Sequence, residues 1–130
     1  VLVVAGLLSW QLRGERTPSD CDTVRALIAH NDQFTEQARI PARADDAELT
    51  TTEQYRQWAA RIEDYSAQLR DPALAARAGT AAGLAARTAD LVPRYRAAPD
   101  DPAIAREYAE IGIEYGNAIN RLEYACPAAD

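Results

Sequence analysis

The sequence predicts an all-α fold, an up-down-up-down four-helix bundle with an apolar N-terminal anchor and one disulfide. Three observations predict the bundle. Four segments carry apolar residues at alternating spacings of three and four, the period of a helix with one buried face. Start signals stand at the head of each: Ser19 or Asp20, Thr50 or Thr51, Asp71-Pro72 and Asp101-Pro102. No segment alternates with period two over a useful length. Short connections favour antiparallel neighbours; a three-helix bundle with one split helix is the alternative.

The first helix is expected from Cys21 to Ile40, with Val24, Leu27, Ile28, Phe34 and Ile40 on its inner face and Pro41 as its stop. The second runs from Thr52 to Arg70. Thr50 with Glu53, or Thr51 with Gln54, forms a capping box, and Tyr55, Trp58, Ile62, Tyr65 and Leu69 form the cleanest stripe in the chain. The third starts at Asp71-Pro72 on a face of small residues, Leu74, Ala78, Ala81, Ala85 and Thr88, then Leu91 and Val92. Pro93 is expected to kink or end it, because proline lacks the N–H and clashes with the preceding turn. The fourth starts at Asp101-Pro102 and buries Ile104, Tyr108, Ile111, Tyr115, Ala118, Ile119, Leu122 and Cys126, with Pro127 as its end.

The chain has 130 residues, enough for one domain. Its net charge of −6 argues against a general affinity for nucleic acid or anionic lipid. All 14 basic residues are arginine, and with abundant alanine this reads as a GC-rich coding sequence. Methionine is absent even at position 1, so a processed end, an artificial boundary or a non-standard start is expected there. Three regions follow: an apolar signal-anchor or transmembrane remnant at 1–10, a polar linker at 11–20, and a disulfide-closed bundle at 21–130.

Val1 to Leu8 reads VLVVAGLL, too short to span a bilayer, which takes about 20 apolar residues. It resembles the end of a longer apolar segment, with Trp10 placed as an aromatic membrane-interface residue. An uncleaved anchor is expected in preference to a cleaved signal peptide, since no A-x-A cleavage pattern precedes Cys21. Arg13 and Arg16 after the apolar run argue for the opposite orientation; the cysteines decide against it.

In an up-down-up-down bundle the start of the first helix and the end of the fourth meet at one end. Cys21 and Cys126 stand at those places, and neighbouring helix ends satisfy the reach of a disulfide, about 7 Å between Cα atoms. Disulfides persist outside the cytoplasm. The expected location is therefore the cell membrane, single-pass, with the bundle on the extracytoplasmic side; secretion is the alternative. On that polarity Asp45, Asp46, Glu48, Asp100 and Asp101 share the membrane-distal tip. They are the candidate partner-binding residues, although capping and solubility also account for them.

Other constellations read as structure. His30 is the only histidine, too few for the usual zinc or di-iron ligand sets. Glu107, Glu110 and Glu114 fall off the apolar stripe. The tyrosines at 55, 65, 108 and 115 could line a ligand pocket, although at this spacing core packing is the commoner role. Gly112 and Gly116 make a G-x-x-x-G in a helix too charged for a membrane, where it permits local close packing. There is no G-x-S-x-G, phosphate loop or Cys–His pair. No catalytic residue, cofactor or metal ligand is assigned.

The apolar start, the polar linker ending in Cys21, the Arg/Ala-rich bundle and the closing Ala125-Cys126-Pro127 resemble uncharacterised small single-pass extracytoplasmic helical proteins of actinobacteria, mycobacteria in particular. The resemblance implies a compartment and no chemistry. The expected function is a non-enzymatic interaction module, an accessory subunit or scaffold of a membrane or cell-envelope complex. It would be held to the membrane by the N-terminal segment and bound to protein partners. The alternative is a carrier for a small apolar ligand such as a lipid, lodged on the alanine face of the third helix.

Overall fold

A computed structural model of the chain describes residues 19–43 and 50–128. These form four helices and no strand: α1 Asp20–Arg43, α2 Thr52–Ala67, α3 Pro72–Ala97 and α4 Pro102–Ala125. The expected anchor with Trp10, nearly all of the linker, and Asp45, Asp46 and Glu48 lie outside the described residues. No described helix is long and apolar enough to cross a membrane.

The helices alternate in direction, and cross-helix bonds at the two ends establish it. At one end Cys21 and Cys126 form a disulfide with Cα atoms 5.2 Å apart, and Arg25 donates to the Pro127 carbonyl at 3.3 Å. At the same end the Asp20 carboxylate accepts from the backbone N–H groups of Arg70 (3.1 Å) and Asp71 (2.6 Å), tying the head of α1 to the α2–α3 turn. At the opposite end Arg96, in the last turn of α3, donates to the Thr50 carbonyl ahead of α2.

The caps follow side-chain chemistry. Ser19 caps α1: its hydroxyl accepts from the Asp22 N–H at 3.1 Å, and the Asp22 carboxylate accepts from the Ser19 N–H at 3.2 Å. Asp20 is thereby left free for the α2–α3 turn. The Arg25 guanidinium, 2.6 Å from Asp22, holds the Asp22 carboxyl below the usual carboxylate range, and its bonds to Ser19 act in the same sense. Thr51 with Gln54 forms the reciprocal box at α2. Asp71 and Asp101 accept from the exposed first turns of α3 and α4, each followed by proline at the first helical position. Asp71→Ala and Asp101→Ala should each lower unfolding free energy by about 1 kcal/mol, read from urea midpoints. An unchanged midpoint would mean that the following proline alone sets the helix start.

One expected stop does not stop its helix: α1 runs through Pro41 to Arg43. α3 continues past Pro93, where a kink or an end with resumption through Tyr95 is the sequence expectation, to Ala97. Each proline falls in the last turns, where it removes one backbone bond that little helix follows. α2, by contrast, ends at Ala67, three residues earlier than Arg70.

Val24 and Leu27 of α1, Trp58, Ala59 and Ile62 of α2, and Ile111, Ala118, Ile119 and Leu122 of α4 are buried around α3. α3 packs on both α2 and α4, so its buried set is broader than one stripe: Ala82, Leu84 and Ala89 join Ala78, Ala81, Ala85, Leu91 and Val92. Alanine allows this, because a methyl side chain lets neighbouring helices approach closely. The expected alanine face, Ala78, Ala81 and Ala85, is thus packed between α2 and α4.

Candidate functional site

α1 and α4 touch less than the other neighbouring helices do. They are joined at the disulfide end and again at mid-height, where the Tyr115 hydroxyl donates to Asn31 Oδ1 at 2.7 Å. Towards the opposite end they separate around a cleft of about 290 Å³. α1 contributes Asn31, Phe34, Thr35 and Ala38; α2 contributes Tyr55 and Trp58; α3 contributes Thr88; α4 contributes Tyr108, Gly112 and Tyr115.

Its walls are aromatic. Trp58 stacks on Phe34 with ring centroids 4.9 Å apart and meets Tyr115 edge-on at 5.3 Å. Phe34 meets Tyr55 edge-on at 5.1 Å, and Tyr108 stacks on Tyr95 at 4.9 Å. Thr35 and Thr88 donate back to the Asn31 and Leu84 carbonyls, both at 2.8 Å, so their methyl-bearing sides are what remain for packing. Trp58 is 5% exposed, and its indole N–H alone among the described buried side-chain nitrogens and oxygens has no partner. No lining side chain is an acid or a basic residue.

The Phe34–Trp58 pair also walls a second groove, between α1 and the start of α2, which is polar: His30, Gln33, Gln37, Gln54 and Gln57 line it with Thr50 and Thr51. His30 is half-buried there, 3.4 Å from the Trp58 carbonyl and against the Tyr65 ring. It is a packing residue of the α1–α2 seam.

Burial pushes the Tyr108 hydroxyl up to about 12, with Tyr55 adding to the rise, and raises Tyr115 further in the same direction. An unfolded tyrosine releases its proton near pH 10. Above that pH the native state holds more protons than the unfolded one, so stability falls as pH rises. Urea midpoints should therefore be level up to about pH 9 and decline from about pH 10 to 12. Tyr108→Phe should reduce that slope; an unchanged slope would show that Tyr108 titrates as an exposed phenol.

The sequence-assigned residues divide among these places. Cys21 and Cys126 are paired. Asp100 and Asp101 lie at the end opposite the disulfide; Asp101 is committed to the Ala103 and Ile104 N–H groups, and Asp100 is exposed. The other tip residues and Trp10 lie outside the described residues. Glu110 and Glu114 are exposed and Glu107 is half-buried. Among the described residues no group of three or more His, Cys, Asp or Glu could hold a metal ion.

Two features go beyond the sequence reading. One is the cleft, a pocket that the tyrosine positions allow but do not locate: Tyr55, Tyr108 and Tyr115 pack against the core at its edge rather than inside it. A helix-interior glycine between Tyr108 and Tyr115 was the available signal. The other is the outer face of α4. Ala109, Ile113, Gly116, Asn117, Asn120 and Tyr124 recur at spacings that keep them on one side of the helix, all exposed; the exposed Arg106 falls on the same side, and Arg77 and Arg121 lie beside Asn120 and Tyr124. Ile113 is 66% exposed and Tyr124 is 89% exposed.

The fold and its openings define a class, a disulfide-closed antiparallel four-helix bundle with an aromatic cleft. Comparison with known proteins adds no narrower assignment: no family model, curated protein or solved structure matches the chain.

Proposed function

We propose that this protein is a non-enzymatic extracytoplasmic interaction module, an accessory subunit or scaffold of a membrane or cell-envelope complex. The observation that carries the reading is the outer face of α4, where two large hydrophobic side chains, Ile113 and Tyr124, are held in solvent. The partner that fits it is a helix of a membrane-resident protein. Ala109 and Gly116 admit close backbone approach, and Asn117 and Asn120 offer hydrogen bonds. Tyr124 stands near the disulfide end, from which the chain continues back towards the apolar segment. The disulfide supports an oxidising compartment, and the apolar N-terminal sequence supports a membrane tether. At the opposite end the exposed Asp100 is a second contact, Asp101 being committed to its helix cap.

Photo-crosslinking residues placed at Ile113 and Tyr124 in native membranes test the reading, with Glu63 on the exposed side of α2 as control. One discrete adduct with a membrane protein is expected from both stripe positions and none from Glu63. Ile113→Glu should abolish the adduct formed from position 124. Adducts only with a second copy of this chain, or the same adducts from all three positions, would overturn it.

A further inference from the structure

The aromatic cleft borders the outer stripe of α4: Gly112, which lines it, is one helical turn from Ala109 and Gly116. Its lining holds no charged side chain, whereas about a quarter of the chain is charged. The nearest charges, Arg96 at 5.8 Å from the Tyr55 ring and Asp32 acting on Tyr115, stand outside the lining, so an ion inside would lose its hydration with little direct compensation. Five rings and the methyl groups of Thr35 and Thr88 offer apolar contact. The volume, about 290 Å³, falls at the small end of ligand-binding pockets, roughly 300–1,000 Å³.

Gly112 supplies the independent observation. It sits in the interior of α4, where glycine costs about 1 kcal/mol relative to alanine. The backbone does not require it, since no residue, glycine or other, has positive φ among the described residues. Close packing does not require it either: a Cβ at position 112 would meet nothing within 4 Å. What the missing side chain leaves open is the edge of the cleft between Tyr108 and Tyr115.

We propose that this cleft is a binding site for a small, uncharged, largely apolar molecule, admitted past Gly112. The site is distinct from the alanine face of α3, which is packed between α2 and α4.

Gly112→Leu and Gly83→Leu in the full chain separate the proposal from general stickiness. Both positions have open space at Cβ, and both variants should be more stable than the parent through helix propensity. Only position 112 lines the cleft. The probe is N-phenyl-1-naphthylamine, a neutral dye that fluoresces when removed from water. Wild type and Gly83→Leu should bind it alike, and Gly112→Leu should weaken binding by about tenfold or more. Naphthalene-2-sulfonate should fail to displace it, and the uncharged 2-acetylnaphthalene should succeed. Equal dye binding by the two leucine variants would overturn the proposal, as would displacement by the sulfonate or no binding to wild type. A rise in thermal midpoint for both variants shows that each is folded, so loss of dye from Gly112→Leu alone reads as occlusion.

Discussion

Serine at both Cys21 and Cys126 should lower the unfolding free energy by about 2–5 kcal/mol. The bond closes a loop with a sequence separation of 105, and on the chain-entropy model such a loop restrains the unfolded chain by up to about 4–5 kcal/mol. A domain of this size is stable by only about 5–15 kcal/mol. The local consequence concerns α1. It rests on α2 through Val24 and Leu27 but reaches α4 at few places, chiefly the disulfide and the Tyr115–Asn31 bond. Without the cross-link, amide exchange should therefore accelerate in α1 before α3, because α3 is held from two sides. Urea unfolding with and without reductant checks the first expectation, and hydrogen exchange the second. A midpoint indifferent to reductant in the wild-type chain would show that the sulfurs do not restrain it. The urea m-value should rise in the serine variant, since an uncrosslinked unfolded chain exposes more surface.

Trp58→Ala should cost about 3–5 kcal/mol, as expected for a large buried aromatic whose site collapses incompletely. Its ring contacts Phe34, Tyr55 and Tyr115, so three helices lose a common partner. Aromatic pairs add about 0.5–1.5 kcal/mol each beyond the area they bury. The void would join the cleft to the polar α1–α2 groove, because Trp58 lines both. Trp58→Phe should cost much less: it keeps a ring and deletes an indole N–H that has no acceptor, relieving a penalty of about 1–3 kcal/mol. Urea midpoints of the two variants check this, with near-ultraviolet circular dichroism as a readout of ring packing. A loss below about 1 kcal/mol for alanine would place Trp58 at a yielding surface instead of in the core.

Much of the fold was legible because its determinants are local. The Thr51–Gln54 box and the Asp71-Pro72 and Asp101-Pro102 starts sit where the chain announces them. The 3.6-residue period placed Leu27, Ile62, Ile111 and Leu122 inside. Pro41 misled because a proline near a helix end forfeits one bond and leaves the turn otherwise intact. Ser19, not Asp20, caps α1, and the sequence offered both; what selects is the α2–α3 turn, whose N–H groups take the aspartate. The candidate sites were less legible. The tyrosine spacing indicated burial without telling a filled core from the edge of a cleft, and exposure of Ile113 and Tyr124 depends on what stands beside α4.

The amino-acid order alone determined where the helices begin, which face of each turns inward, and that an even number of alternating rods brings Cys21 to Cys126. Each of these depends on neighbours within a few positions or on counting directions. Only the tertiary structure decided how far the rods stand apart. Methyl side chains along α3 draw α2 and α4 close, while Phe34, Tyr55, Trp58, Tyr108 and Tyr115, brought together from three helices, hold α1 and α4 apart at one end. That spacing is set by the summed volumes of residues distant in sequence, so the opening belongs to no single segment of the chain.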